Sequence, residues 1–384
     1  MKILLIHTKY QQSGGEDSVV SLEETFLRRH YSVDTLFFQN KEGIKGVVQF
    51  LFSLWNFRAA SILKKRIKEF QPDIIHVHNW HFASGPIIFR VAKNMNVPVI
   101  HTVHNYRLLC PSAILLHNNL LFTKSLQQQF PWTAVREKVY RNSLSQTFWL
   151  AFVVWFHKRI GTWNKVDKFI CLTTFAVDLF QKSTFGISID KFTIKPNFTE
   201  VNPNPTLEER EDNFLFIGRL SEEKGIRILI DAFKTSNLIL HIAGDGPLKK
   251  EIQQIQEKYS NIQYLGLLSK SEILLALQQT QALVFPSVWF EGMPMTIVES
   301  LSSGTPIIAS RLGAMESMVQ NGSNGFLFQP SNHKDLLDKI ERFALLSKDE
   351  KNTLQKNTLA SFYQNYTMES QIGYFAKIFK SVMK

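Results

Sequence analysis

Two glutamates flank a short loop in the stretch FPSVWFEGMPMTIVE, residues 285–299. The apolar segment 282–285 predicts a strand, and Glu291 follows it in the loop. A helix is then expected to carry Glu299 about two turns from its start and to end near Ser303-Gly304. Unpaired N–H groups and the helix dipole attract anions to a helix start. A phosphate bound there between two carboxylates would form a sugar-nucleotide site, although the Glu spacing alone also fits two surface side chains.

A second candidate lies in the turn GRLSEEKG, residues 218–225, which contains Arg219 and Lys224. Arg offers a forked donor to phosphate, and Lys offers a mobile point charge. Two fixed cations would stabilise the negative charge that grows on a diphosphate leaving group. Many nucleotide-sugar enzymes use a metal held by Asp-x-Asp instead, but this sequence contains no Asp-x-Asp. We therefore expect the cation pair and no metal; two ordinary surface charges are the alternative.

Glycines and histidines follow the first strands. Gly14 and Gly15 come after an apolar strand and would let backbone N–H groups approach a phosphate, unless they form a plain tight turn. The pair His76 and His78 could bind zinc, but no Cys or carboxylate set is found to complete that site. His104 follows a predicted strand, and ligands bind beyond the carboxyl ends of strands in open α/β sheets. We expect His104 in the active site, with a structural histidine as the alternative.

Strands and helices alternate along the whole chain, which predicts an α/β fold with two doubly wound Rossmann-like domains facing across a cleft. The domains are predicted at 1–200 and 201–365, with a C-terminal helix over 366–384 packing back on the first. The clearest linker is 200–212, with Pro203, Pro205 and five acidic residues. Predicted strands cover 2–8, 33–38, 74–78, 97–103, 168–172, 214–217, 238–243, 262–265, 282–285, 306–309 and 325–328, and a segment at 194–198 closes the first half. Predicted helices include 18–30, 46–70, 86–93 and 269–279.

Composition limits the classes of protein and of binding partner that fit this chain. A hydrophobic content of 44% over 384 residues indicates a globular protein. The net charge of +11 and the 31 phenylalanines favour contact with an anionic membrane surface, and no nucleic-acid-binding signature is found. The aromatic and basic segment 148–159 fits either a membrane interface or a buried core helix. Two cysteines suit a reducing compartment, and the short apolar run at the N-terminus is read as a strand and not as a signal peptide.

Several motifs stand in an order that resembles the retaining glycosyltransferases of family 4, which have the GT-B fold and are also called group 1. The pair Glu291 and Glu299 matches the family's E-x7-E motif, with Gly304-Thr305-Pro306 in the expected surroundings. The resemblance covers nearly the whole chain and is least informative over 106–190. The motifs are SGGE at 13–16, PDIIHVH at 72–78, HTVHN at 101–105, Pro196-Asn197, Gly218-Arg219 with Lys224-Gly225, GDGP at 244–247, and Glu291 with Glu299.

This resemblance implies a role for each matched residue. Arg219 and Lys224, beside Gly218, would hold the donor diphosphate, Glu291 would contact the donor sugar, and Glu299 would bind the ribose. His104 would lie near the sugar on the acceptor side. The expected catalytic set is Glu291, His104, Arg219 and Lys224. The remaining donor-binding positions are Gly14, Gly15, Asn197, Gly218, Gly244, Leu267, Gly292, Met293, Pro294, Met295, Thr296 and Glu299.

The resemblance further implies a metal-independent transferase that retains the anomeric configuration and needs no cofactor beyond its nucleotide-sugar substrate. The expected acceptor is a saccharide or a lipid-linked saccharide of cell-surface polysaccharide synthesis, at the cytoplasmic face of a membrane. Two alternatives stay open on the sequence: a non-catalytic nucleotide-sugar-binding partner of another transferase, and a same-fold sugar-nucleotide epimerase.

Overall fold

The computed structural model describes residues 1–10, 14–202 and 210–383. Ser13 of the glycine turn and Pro203 and Pro205 of the predicted linker lie outside these ranges. The chain folds into two compact units. Unit 1 comprises Met1–Leu115, Phe122–Pro196 and the residues from Gln371 onward, and unit 2 comprises Leu116–Leu121 and Asn197–Ser370. The division after Pro196 lies four residues before the boundary expected from the linker, 196 against 200.

Unit 1 is built on a six-stranded parallel sheet with the strand order β2-β1-β3-β4-β7-β8. Its strands are β1 (Lys2–Lys9), β2 (Ser32–Gln39), β3 (Ile74–Val77), β4 (Val99–Val103), β7 (Lys168–Cys171) and β8 (Phe192–Ile194); β5 (Leu116–His117) and β6 (Leu120–Leu121) form a separate hairpin. Its helices are α1 (Gly15–His30), α2 (Gly43–Phe52), α3 (Phe57–Phe70), α4 (Ile87–Asn94), α5 (Trp132–Arg136), α6 (Leu144–Arg159) and α7 (Thr174–Gln181).

Unit 2 contains a second six-stranded parallel sheet, in the order β11-β10-β9-β12-β13-β14. The strands are β9 (Glu211–Ile217), β10 (Ile239–Ala243), β11 (Ile262–Gly266), β12 (Thr280–Phe285), β13 (Ile307–Ser310) and β14 (Gly325–Phe328). The helices are α8 (Ile226–Phe233), α9 (Lys249–Lys258), α10 (Lys270–Gln279), α11 (Met295–Ser302), α12 (Ala314–Met318), α13 (His333–Ala344) and α14 (Lys348–Asn365). Helix α15 (Met368–Val382) ends the described chain.

Both sheets confirm the doubly wound α/β fold. Their central strands read as continuous apolar runs because helices cover both faces of a parallel sheet. In β1 every residue from Ile3 to Ile6 is fully buried, and in β12 the same holds from Ala282 to Val284. The core of unit 2 is formed by strands of its own sheet together with α8 and α13. Each unit is therefore a layered domain with its own core.

The predicted helix over 46–70 is wrong, because the structure divides it into two helices. Helix α2 ends at Phe52, and α3 begins at Phe57 after a bend of 77°. The Asn56 side chain caps α3 by accepting a hydrogen bond from the Ala59 N–H group at 2.9 Å. Asn at this position satisfies an N–H group that has no acceptor inside the helix, so it marks a helix start that the apolar run concealed.

Two smaller details follow from the element bounds. Strand β8 closes the sheet of unit 1 and ends at Ile194, so only the first residue of the closing segment 194–198 lies in a strand. Helix α11 begins at Met295, which places Glu299 in its second turn, closer to the helix start than expected.

Candidate functional site

In each sheet the strand order reverses between two central strands, because the chain adds strands first on one side of the initial strand and then on its other side. In unit 2 this switch point lies between β9 and β12, and in unit 1 it lies between β1 and β3. Ligands of open α/β sheets bind beyond the carboxyl ends of strands at such points. The turn with Arg219 and Lys224 follows β9, and the loop with Glu291 follows β12. The topology of unit 2 thus brings both halves of the predicted E-x7-E and cation site to one place.

Lys224 and Glu291 form a direct ion pair in unit 2. The Lys224 Nζ atom lies 2.6 Å from Oε1 of Glu291, which is buried at 5% exposure. The same oxygen accepts a hydrogen bond from the Ser287 Oγ atom at 2.8 Å. The Lys224 ammonium also lies over the Trp289 ring, 5.3 Å from its centroid. The carboxylate is thereby fixed in one orientation, and a fixed acceptor can orient a bound ligand.

Backbone contacts hold the two loops together. The Glu223 carbonyl accepts hydrogen bonds from the Val288 N–H group at 3.0 Å and from the Ser287 hydroxyl at 3.2 Å. Gly225 has a φ of +72°, and a Cβ atom placed there would lie 1.9 Å from the Pro286 carbonyl oxygen. Only glycine fits this position, since both the left-handed backbone and the close approach exclude a side chain. Gly225 therefore allows Lys224 to reach Glu291.

Arg219 differs from Lys224 in its surroundings. The side chain is exposed, and among the described residues its guanidinium has no hydrogen bond or ion pair. The sequence predicted that both cations hold the diphosphate, and the structure shows one cation neutralised by a carboxylate and one exposed to solvent. Arg219 is the group that can bind a phosphate without first breaking an internal contact.

The glycines of the neighbouring turns meet at very short range. A Cβ atom at Gly244 would lie 1.9 Å from the Gly218 carbonyl oxygen, and one at Gly246 would lie 2.5 Å from that of Leu220. The Leu220 N–H group donates to the Asp245 carbonyl at 2.9 Å, which joins the turns after β9 and β10. Leu267 follows β11 and is 76% exposed. Backbone and an apolar side chain therefore border this edge of the sheet, as a planar base requires.

Asn197 lies against the loop before α11. Its amide nitrogen donates to the Met293 carbonyl at 3.4 Å, and its backbone N–H group contacts the Met293 Sδ atom at 3.1 Å. The Asn197 Oδ1 and Trp289 Nε1 atoms are buried and have no hydrogen-bond partner among the described residues. Buried polar atoms are rarely left unpaired. The loop before α11 and the adjoining Asn197 therefore provide one buried donor and one buried acceptor that can bind a further polar group.

Glu299 has an altered acidity. Burial raises the pKa of its carboxyl from 4.5 to about 7, against the opposing charge of Lys270. The side chain is half-buried in α11. A carboxyl with a pKa near neutrality gains the most from hydrogen bonds that favour its ionised form. Two vicinal hydroxyls, as on a ribose, would provide such bonds.

In unit 1 the glycine turn opens helix α1. Asp17 accepts a hydrogen bond from the Gly14 N–H group at 3.0 Å and contacts the His7 Nε2 atom at 2.9 Å. A Cβ atom at Gly14 or Gly15 would meet no described atom within 4 Å. The described residues therefore leave room for a ligand beside these glycines. Burial raises the pKa of the adjacent Glu16 carboxyl to about 8, although Arg107 acts against it.

His104 is half-buried at the end of β4, and its Nε2 atom lies 2.9 Å from the His78 Nδ1 atom. His78 and His76 in turn lie 3.1 and 3.0 Å from one carboxylate oxygen of Glu23, a buried residue of α1. The expectation that no carboxylate accompanies the His-x-His pair is therefore wrong. These three side chains are the one group with metal-ligand spacing among the described residues. However, the Lys195 ammonium already lies 2.9 Å from the other oxygen of Glu23.

Four of these residues were missed in the sequence: Ser287, Trp289, Glu23 and Lys195. Ser287 and Trp289 belong to the loop around Glu291, so their proximity to it was available as a signal. Glu23 shows a weaker signal, as a charged residue on the otherwise apolar face formed by Val19, Val20, Phe26 and Leu27. Lys195 gave no signal in the sequence, because only the sheet brings the end of β8 towards α1.

The aromatic segment 148–159 is divided between core and surface. In α6 the buried residues are Thr147, Leu150, Ala151, Val153 and His157, and Phe148 is 38% exposed. The more exposed apolar helix is α2, in which no residue is buried. Ile44 is 85% exposed, and Val47, Val48, Leu51 and Phe52 are each between 47% and 58% exposed. The structure therefore shows a larger apolar surface on α2 than on the segment favoured by the sequence.

Among the described residues, no helix is by itself both long enough and apolar enough to cross a membrane. The bent pair α2 and α3 meets the criterion of length and composition when the two are taken together.

Helices α2 and α6 border an open cavity of about 840 Å³ in unit 1. The Trp149 Nε1 atom donates to the Phe50 carbonyl at 2.7 Å and fixes the two helices to each other. Arg107 and Arg141 line the cavity together with aromatic side chains. The Nη1 atom of Arg107 is buried and has no hydrogen-bond partner among the described residues. The lining of this cavity suits a ligand with both an anionic and an apolar part.

Comparison with protein families gives two matches in tandem. The model of Glycosyltransferase Family 4 matches residues 13–202, and that of Glycosyl transferases group 1 matches residues 197–359. The two matches meet where the structure divides the chain into units, and they include every residue of the candidate sites in both units.

Similar proteins extend the finding over most of the chain. The galactosyltransferase of Escherichia coli named UDP-Gal:alpha-D-GlcNAc-diphosphoundecaprenol alpha-1,3-galactosyltransferase is 26% identical over 295 residues, 73% of this chain and 68% of its own. An uncharacterised glycosyltransferase of Methanocaldococcus jannaschii is 26% identical over 81% of this chain and 76% of its own. The crystal structure of Anabaena HepE in complex with UDP superposes with a TM-score of 0.70, 17% identity and coverage of 99% and 100%. This chain therefore has the GT-B fold of the Anabaena structure.

Proposed function

The chain belongs to the glycosyltransferases that combine a family 4 domain with a group 1 domain, and on that premise we propose that it transfers a sugar from a nucleotide diphosphate donor to a lipid-linked saccharide with retention of configuration. The ion pair of Lys224 and Glu291 at 2.6 Å carries this proposal. It supports the proposal because it brings a cation and a carboxylate together at the switch point of the group 1 domain.

The donor side uses residues of unit 2. Arg219 is exposed and binds the diphosphate as a forked donor, and the start of α11 adds N–H groups and the positive end of a helix dipole. Glu291 accepts hydrogen bonds from the donor sugar, and Glu299 accepts them from the ribose. Anabaena HepE has been solved with UDP and with UDP-glucose, which supports a uridine nucleotide as the first donor to test.

In the proposed reaction, the bond between the anomeric carbon and the phosphate oxygen breaks while the acceptor hydroxyl bonds to the same face of the sugar. The departing phosphate oxygen takes the proton of that hydroxyl. Lys224 and Arg219 stabilise the charge that develops on the diphosphate. These cations do the work that a metal held by Asp-x-Asp does elsewhere, so we propose a metal-independent enzyme.

The acceptor side is assigned to unit 1. A lipid-linked saccharide has an anionic phosphate portion and an apolar chain, and the cavity beside α2 offers Arg107 and Arg141 for the first and aromatic walls for the second. The exposed apolar residues of α2, next to Lys41, Lys45 and Arg58, would contact an anionic membrane at its cytoplasmic face. The Escherichia coli relative is named for an acceptor of this kind.

A panel of UDP-, GDP- and ADP-sugars tests the proposal in two stages. Thermal shift identifies the donor, because a ligand that binds the folded state raises the melting temperature. Nucleotide release is then measured with and without lipid-diphosphate-linked saccharides. We expect release that depends on the acceptor, does not require added divalent metal and is strongly reduced in Arg219→Ala. Donor binding without acceptor-dependent release across the panel would instead indicate a binding protein.

A further inference from the structure

We propose that Lys195, Glu23 and His78 form a buried chain of polar contacts that fixes the tautomer and the orientation of His104, so that Glu23 and His78 are positioning residues of the transferase. The inference rests on the proposed function only in assigning His104 to the reaction. Its structural part, the tautomer of His104, holds or fails independently of any activity.

The chain is continuous and lies entirely in unit 1. The Lys195 Nζ atom lies 2.9 Å from Oε2 of Glu23, and Oε1 of Glu23 lies 3.1 Å from the His78 Nε2 atom. The His78 Nδ1 atom then lies 2.9 Å from the His104 Nε2 atom. Lys195, Glu23 and His78 are each at most 2% exposed, whereas His104 is half-buried. The chain therefore runs from the interior towards the side chain expected at the sugar.

The charge of Glu23 determines which ring nitrogens carry hydrogen. Burial acts to raise the pKa of the Glu23 carboxyl, but Lys195 and the two histidines outweigh it and keep the pKa well below its usual range. The His78 Nε2 atom lies 3.1 Å from this carboxylate without full hydrogen-bond alignment, and because an ionised carboxylate only accepts hydrogen bonds, we assign the ring proton of His78 to Nε2. Burial lowers the pKa of His78 to about 3, so this ring is neutral and its Nδ1 atom is an acceptor. His104 must then donate through Nε2–H.

The consequence for His104 is a free lone pair on Nδ1. Burial lowers the pKa of His104 well below its usual value, so the ring is neutral and carries a single proton. With that proton on Nε2, Nδ1 can only accept, and it has no partner among the described residues. A hydroxyl of the donor sugar or of the acceptor can donate to it. The opposite tautomer would present a donor to the same hydroxyl.

Lys195 also explains why this cluster is assigned to positioning and not to a metal ion. Its ammonium is buried against the carboxylate and lies 4.8 Å from the centre of the Phe375 ring. The negative charge of Glu23 is thus already balanced, and a divalent cation would sit beside an ammonium in a site of low dielectric.

Long-range ¹H–¹⁵N spectra of protein labelled with ¹⁵N-histidine test the tautomer directly. The His104 signals are identified by their loss in His104→Gln. We expect the Nε2–H tautomer in the wild type and a mixture of tautomers in His78→Leu. An Nδ1–H tautomer in the wild type, or an unchanged spectrum in His78→Leu, would overturn the inference. Zinc added to the wild type should leave the histidine signals unchanged, and stoichiometric shifts of the His76 and His78 signals would favour a metal site instead.

Three variants separate positioning from structural support, measured with the donor found by the panel. His78→Leu removes the acceptor for His104, and we expect kcat to fall about 10- to 100-fold with the donor KM little changed, a part of the roughly 10²–10⁴-fold that a positioned acid–base group provides. His78→Asn keeps an acceptor, the amide oxygen, near the position of Nδ1 and should restore most of kcat.

His76→Leu is the matched control, since it removes a contact with the same Glu23 oxygen but none with His104. It should keep kcat close to wild type. Melting temperatures show whether each variant is folded. Equal losses of kcat in His76→Leu and His78→Leu, without rescue by His78→Asn, would mean that the cluster only supports the fold.

Discussion

At the residue scale, the ion pair of Lys224 with Glu291 leads to a prediction about the binding of donor phosphates. Because Glu291 neutralises Lys224 at 2.6 Å, Glu291→Gln should release the ammonium for the diphosphate. We expect calorimetry to show UDP binding at least as tightly as in the wild type. Turnover should fall by about 10²-fold or more, since a fixed hydrogen-bond acceptor of the sugar is lost. Equal losses of UDP affinity and turnover would contradict the role of Glu291. Glu257→Gln, an exposed glutamate of α9, is the control and should alter neither quantity.

The raised pKa of Glu299 predicts that nucleotide binding depends on pH. Its pKa of about 7 is raised from 4.5, so the free folded protein holds this proton over a range in which the unfolded chain has lost it. The contribution of Glu299 to stability is therefore full below about pH 4.5 and declines as the pH rises through about 7. Hydrogen bonds from ribose hydroxyls would favour the carboxylate, so UDP affinity should rise about tenfold between about pH 6 and pH 8.

Glu299→Gln removes the titrating group while preserving its shape. The diphosphate itself ionises at about pH 6, and this contribution to the pH dependence of UDP affinity remains in the variant. UDP affinity in Glu299→Gln should therefore show only the weaker dependence of the ligand. A wild-type profile that matches that of the variant would exclude Glu299 from nucleotide binding.

At the scale of secondary-structure elements, the approach of two loops depends on Gly225. A Cβ atom there would lie 1.9 Å from the Pro286 carbonyl oxygen, and the φ of +72° adds strain. Gly225→Ala should lower the melting temperature and weaken UDP binding, because it displaces the loop that carries both Arg219 and Lys224. Gly322→Ala is a matched control with a φ of +80° but open space around the new Cβ atom. It should cost only about 1–2 kcal/mol from the left-handed backbone and leave UDP affinity unchanged. Similar losses of affinity in both variants would argue against the loop contact.

The alternation of elements was readable in the sequence because buried parallel strands are apolar throughout and are followed by helices of a different period. The family motifs, together with the strand order that they imply, predicted that Arg219, Lys224 and Glu291 belong to one site. The sequence could not show that Lys224 pairs with Glu291, since side-chain partners across two loops depend on backbone geometry. Glu23 is a stronger case: its contacts with the ends of β3 and β8 arise only when α1 packs on the sheet. The bend after α2 was missed because its apolar run resembles one continuous helix.

At the scale of the whole molecule, the net charge of +11 and the exposed face of α2 predict binding to anionic membranes. The protein should co-sediment with vesicles containing anionic lipid at low salt and less with neutral vesicles. Each basic residue near the surface contributes about 1 kcal/mol, and salt screens this attraction over about 10 Å at 0.1 M. Raising the salt should therefore reduce binding but leave a remainder from apolar contact.

Ile44→Glu combined with Val48→Glu tests which surface provides that apolar contact. Both side chains are exposed on α2, at 85% and 47%, and neither lines the cavity. Burying a side chain of this size contributes about 1.5–3 kcal/mol, so the double variant should bind vesicles more than about tenfold more weakly. Leu275→Glu combined with Leu345→Glu adds the same charges at positions that are 53% and 87% exposed in unit 2, and it should lose only the small effect of net charge. Equal losses in the two double variants would assign the binding to charge alone. Absence of binding to anionic vesicles at low salt would remove the membrane from the proposed function, because the exposed apolar face of α2 would then need another partner.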